Sequence, residues 1–81
     1  MIAIDELIFT VLTQNTSDLN AERAYDSLRK VLPTWGEVVE AETSQVAEAI
    51  KRGGLSNQKS IRIQKILVEI LKRLGHFELE F

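Results

Sequence analysis

Gly53-Gly54-Leu55-Ser56-Asn57-Gln58-Lys59-Ser60-Ile61-Arg62-Ile63-Gln64-Lys65-Ile66-Leu67-Val68-Glu69-Ile70-Leu71-Lys72-Arg73-Leu74-Gly75 decides the fold class. Within it Ile63, Ile66, Leu67, Ile70, Leu71 and Leu74 recur at i, i+3, i+4, i+7, i+8 and i+11, the spacing that gathers apolar side chains on one helical face. Ser56 or Asn57 opens this helix, and Gly75 supplies the left-handed residue at which helices commonly stop. The double glycine ends whatever precedes it. Beyond Gly75, His76-Phe77-Glu78-Leu79-Glu80-Phe81 alternates polar and apolar, which predicts an extended tail over 76–81 with its aromatic side packed down.

Moving toward the N-terminus, Val46, Ala47, Ala49 and Ile50 predict a fourth helix, capped by Thr43 or Ser44, with Lys51 and Arg52 in its last turn. Thr34-Trp35-Gly36-Glu37 has the form of a capping box and predicts a short third helix, Trp35 to Ala41, burying Trp35, Val38 and Val39. Pro33 stops a second helix, which Ser17 or Asp18 caps and whose inner stripe is Ala21, Ala24, Tyr25 and Leu28. The first helix carries Leu7, Ile8, Val11 and Leu12, with Asp5 as N-cap and an end near Gln14. Asn15-Thr16-Ser17-Asp18 breaks it, because each side chain competes for main-chain hydrogen bonds. The expectation is all-α: about five helices with short loops in a single helical domain over residues 1–81.

A chain of 81 residues, 44% hydrophobic and 27% charged, suits one small globular domain. With no cysteine, it holds no disulfide, thiolate zinc site or iron–sulfur cluster by itself. Met1-Ile2-Ala3-Ile4-Asp5-Glu6 lacks a basic leader region, and no apolar run reaches the roughly 18 residues of a membrane span. A cytoplasmic location is expected. The net charge of −2 conceals an asymmetry: Lys51, Arg52, Lys59, Arg62 and Lys65 fall between Ala49 and Val68 with no acid among them. Such a run reads either as a solvated helix face or as a phosphate-binding patch.

Two segments resemble a known family. Leu7-Ile8-Phe9-Thr10-Val11-Leu12-Thr13-Gln14-Asn15-Thr16-Ser17-Asp18, continuing through Asn20, Arg23, Ala24 and Tyr25, resembles the opening helix and loop of the helix–hairpin–helix DNA glycosylases, especially the endonuclease III branch. Gly53-Gly54-Leu55-Ser56-Asn57-Gln58-Lys59-Ser60 is similar to that family's glycine-led loop into a long helix. The resemblance implies the first part of the glycosylase six-helix domain, in an enzyme of base-excision repair acting on double-stranded DNA with a damaged or abasic site. Extruding a base leaves a gap in the stack that an apolar wedge or a planar amide can fill. By resemblance Leu55 is such a wedge. Gln14 or Asn15 occupies the vacated space, and the amides of Ser56 to Gln58 meet a phosphate with Lys59. The DNA-contacting set is then Gln14, Asn15, Thr16, Lys51, Arg52, Gly54, Leu55, Asn57, Lys59 and Arg62. From the residues alone, the cap reading comes first: Leu55 as an apolar contact closing a helix cap, and Gln14 and Asn15 as polar capping groups. His76, Asp18 and Glu69 read as a solvated, a capping and an exposed residue.

The family's Gly-x-Gly hairpin has no counterpart here: the glycines are Gly36, Gly53, Gly54 and Gly75. No residue matches the family's catalytic Lys or Asp, so the catalytic and metal sets are empty and the chain is expected to be inert alone, a fragment of a larger glycosylase. A 4Fe-4S cluster is expected only in a full-length relative. The alternative from another class is a helical interaction module that forms a homodimer through exposed apolar helix faces. A helix-turn-helix DNA binder fits less well, because no helix pair shows a basic, polar recognition face.

Overall fold

The computed structural model describes residues 4–75; the expected tail over 76–81 lies outside them. The described chain is all-α, running α1 (Ile4–Thr13), α2 (Asp18–Val31), α3 (Trp35–Glu40), α4 (Thr43–Ala49), a 3-10 turn (Lys51–Gly53) and α5 (Ser56–Leu74), with no strand among the described residues. None of these helices is long and apolar enough to cross a membrane.

Local chemistry accounts for most boundaries. The Ser17 hydroxyl accepts from the Asn20 amide at 3.1 Å, and the Thr34 hydroxyl from the Glu37 amide at 3.1 Å, each satisfying an N-terminal donor that the helix cannot. Gly75, at φ +77°, closes α5 by donating its amide to the Leu71 carbonyl at 2.7 Å. Three expectations are corrected. Asp5 lies inside the first turn of α1, where its charge favours the helix dipole, rather than capping it. The N-cap of α4 is Glu42, whose amide donates to Gln45 Oε1 at 3.0 Å; Thr43 is already the first residue of the helix, and its hydroxyl donates to Gln64 Oε1 at 2.7 Å. Lys51 and Arg52 lie past the end of α4, in the 3-10 turn, because the chain tightens after the fully buried Ile50.

The core gathers Ile8, Leu12, Leu28, Trp35, Val38, Val46, Ile50, Ile63 and Leu67, all fully buried. Helix α5 lies chiefly against α4 and also meets α1 and α3, while α2 packs against α1, α4 and the 3-10 turn. Of the expected α5 stripe, Ile63 and Leu67 are buried and Ile66 and Ile70 partly so, whereas Leu71 reaches the surface. With 19 residues α5 outruns α3 and α4, which have 6 and 7. Trp35 is covered by the Arg29 guanidinium, 4.0 Å from the ring centroid, and Tyr25 links it to Phe9 through tilted and edge-on ring contacts.

One close approach positions the site. Ala24 on α2 is fully buried, and a Cβ added to Gly53 would stand 3.2 Å from its methyl group. Two small residues therefore let the 3-10 turn settle directly onto α2, bringing the next residues beside the end of α1.

Candidate nucleic-acid interface

Two turns meet at this place. The first leaves α1 at Thr13, whose hydroxyl donates to the Thr10 carbonyl at 2.7 Å; Asn15 then adopts φ +60°, a left-handed conformation that asparagine tolerates better than most residues. In the second turn Gly54 takes φ +71°, ψ +161°, a region essentially reserved for glycine. Leu55 follows at φ +48°, ψ +38°, left-handed and therefore strained for a leucine. Leu55 remains 48% exposed. No side chain caps the N-terminus of α5, which starts right behind it, so the first amides of that helix keep no side-chain acceptor from the cap position.

Gln14, Asn15, Leu55, Gln58, Lys59 and Arg62 line one small cleft between the turns. Arg62 Nη1 donates to Gln14 Oε1 at 2.6 Å, orienting the amide from the far side of the cleft. Of the residues predicted to touch DNA, the structure thus brings Gln14, Asn15, Leu55, Lys59 and Arg62 together, with Gly54 and Asn57 exposed alongside and Thr16 half-buried in the first turn.

Lys59 departs from the expectation of a surface phosphate ligand. Only 4% exposed, it donates from Nζ to the Leu12 carbonyl at 3.0 Å and the Gly53 carbonyl at 2.8 Å. Burial pushes its ammonium below the usual lysine value. Nor do the five cations form one patch. Lys51 pairs with Glu48 at 3.3 Å. Arg52 joins Arg23, Arg29 and Lys30, with Asp26 and Ser27, around a separate basic cleft on α2. Lys65 lines a groove on α5 with Ile61, Gln64, Val68 and Lys72. The run was continuous in sequence, but a turn and a helix distribute it around the molecule.

Sequence reasoning used only the main-chain amide of Gln58 and missed its side chain, which lines the cleft from the first turn of α5; it also missed the basic cleft, whose members come from two separated segments. The signal for Gln58 was available in its helical offset from Leu55; the basic cleft had none. Arranged here are three side-chain amides, a guanidinium and an exposed apolar tip on strained turns, a set with the shape and chemistry to enter a base stack. Among the described residues no group of three or more His, Cys, Asp or Glu could hold a metal ion.

Residues 8–77 match the family model described as HhH-GPD superfamily base excision DNA repair protein. The chain belongs to that superfamily. It is similar to a DNA glycosylase of Arabidopsis thaliana, at 36% identity over 78 residues, covering 96% of this chain and 27% of that protein. It is also similar to the endonuclease III of Thermotoga maritima, at 39% identity over 69 residues, covering 85% of this chain and 32% of that protein. This HhH-GPD chain thus spans about a third or less of the length of those relatives. The region matched includes both turns and every residue of the cleft between them.

Proposed function

We propose that the two turns are the duplex-opening edge of an endonuclease III-like base-excision DNA glycosylase or abasic-site lyase, and that the groups that break bonds lie outside this chain. Leu55 enters the stack as the wedge, Gln14 and Asn15 replace the extruded nucleotide, and Arg62 with the first amides of α5 meets the neighbouring phosphates. The observation that carries this reading is that a half-exposed leucine is held in a strained left-handed conformation in the same cleft as Gln14 and Asn15. Strain of this kind persists only where the surrounding structure enforces it, and it clusters at functional sites.

Fluorescence anisotropy with a duplex bearing an abasic-site analogue, against the same duplex undamaged, tests the proposal. The chain should prefer the damaged duplex, and Leu55→Ala should reduce that preference roughly tenfold, the effect of about 1.5 kcal/mol of apolar burial. Equal affinity for both duplexes, or a preference untouched by Leu55→Ala, refutes it. A second reading, a surface for association with another helical protein or a second copy, draws on the exposure of Ile61, Val68 and Leu71 on α5. Light scattering showing a concentration-dependent dimer would favour it.

A further inference from the structure

Lys59 is the one described lysine that the fold buries, and its two hydrogen-bond acceptors have matching positions. The Leu12 carbonyl lies two residues ahead of Gln14, and the Gly53 carbonyl two residues ahead of Leu55. The Leu12 carbonyl stands at the C-terminal end of α1, where a helix leaves acceptors unpaired and a cation is favoured. The last turn of α1 carries no basic residue of its own, so a cation arrives from a residue 47 positions away. Gly53 sits in the same pocket: a Cβ there would be in ordinary contact with Lys59 Nζ at 3.9 Å and with the Leu12 carbonyl oxygen at 4.0 Å. A desolvated ammonium is tolerable only while its acceptors are in place. Displacing either turn would leave the cation underbonded, so the two turns are coupled through it.

We infer that Lys59 is a positioning residue that fixes the spacing between Leu55 and the Gln14–Asn15 pair, so that wedge and plug enter the duplex as one rigid unit. This rests on the reading of the two turns as the duplex-opening edge. The role differs from phosphate contact, in which the ammonium would turn from the two carbonyls toward the duplex. It differs also from core filling, which an apolar side chain of similar length would perform.

The wild-type chain, labelled with nitrogen-15 and carbon-13, tests the tie without any substitution. The Lys59 ammonium should give a slowly exchanging resonance with couplings across its hydrogen bonds to the Leu12 and Gly53 carbonyl carbons, retained on adding abasic duplex. An ammonium exchanging like the surface lysines overturns the inference, as does loss of those couplings on binding DNA, which would assign Lys59 to phosphate. In Lys59→Met, amide exchange should rise roughly tenfold in both turns while α3 is unchanged, and preference for the abasic duplex should fall roughly tenfold, as for one charge-assisted hydrogen bond. Because the chain has no cysteine, Lys59→Cys alkylated with 2-bromoethylamine in denaturant and then refolded replaces the ammonium at that position alone, and should restore both properties. Exchange rising through all five helices, with affinity for both duplexes falling in proportion, would reduce Lys59 to a folding residue. A wild-type chain with no preference for the abasic duplex would defeat the DNA reading, while its ammonium couplings would still decide whether Lys59 ties the turns.

Discussion

At Leu55, left-handed backbone costs a residue with a Cβ about 1–2 kcal/mol, and nothing in the interior requires a leucine there, since its side chain is about half exposed. Leu55→Gly should therefore leave the urea midpoint unchanged or raise it, while removing the preference for an abasic duplex. A lowered midpoint would instead identify Leu55 as the apolar contact of a helix cap. Lys59 makes a second prediction. Burial holds its ammonium below 10.5, so the unfolded chain binds that proton more tightly than the folded one. Folding stability is thus lowest, on this account, where both states carry the proton, and it climbs as pH rises from the depressed value to 10.5. Lys59→Met should lack that climb, which urea unfolding of the two chains across the alkaline range would reveal. The Tyr25 phenol, pushed above 10.0 by burial and then by the Asp5 charge, affects both chains alike. Leu55, Gln14 and Asn15 were legible in the sequence because a double glycine and a polar helix end are local signals. The burial of Lys59 was not, because its acceptors are main-chain carbonyls that only tertiary packing brings near.

Among the elements, the helices themselves were readable, since Pro33, Gly75, Ser17 and Thr34 act within a turn of their own positions. What joins one helix to another was hidden. Gln64, an unremarkable polar residue on α5, donates from Nε2 to the Val38 carbonyl at 3.0 Å and the Ala41 carbonyl at 2.8 Å, while its Oε1 accepts from the Thr43 hydroxyl. It thereby holds the end of α3 and the start of α4 against α5, and this engagement of Thr43 accompanies the shift of the α4 cap to Glu42. Gln64→Leu would leave those acceptors unpaired in a partly buried place and should destabilise the chain by about 1–3 kcal/mol. Its abasic preference should stay intact under native conditions, because the substitution is remote from the two turns; a lost preference would mean that α3 and α4 help shape the cleft. Gly53→Ala, forcing a methyl group against Ala24, should destabilise by about 1–3 kcal/mol and weaken DNA binding as well, since it pushes the Leu55 turn off α2. Denaturant unfolding and anisotropy on the same samples separate the two behaviours.

Over the whole molecule, a net charge of −2 means that attraction to DNA has to be local, and the cations are dispersed: three clefts hold most of them, while Lys51 and Arg73 pair with Glu48 and Glu69. Arg62→Gln should lower the slope of log affinity against log salt by about one, the signature of one lost phosphate contact, whereas Lys65→Gln should leave it unchanged. Equal effects would restore the single patch that the linear charge run suggested. That run could not disclose its own division, because helical rotation between positions 59, 62 and 65 and the turn at Gly53 are features of three dimensions. The single tryptophan, sealed beneath Arg29 and not among the residues that line the cleft, gives the molecule a built-in optical partition. Its emission should report loss of the interior yet stay constant as a duplex is threaded by the two turns, so one cuvette can follow the integrity of the scaffold while an extrinsic dye on the nucleic acid follows its engagement.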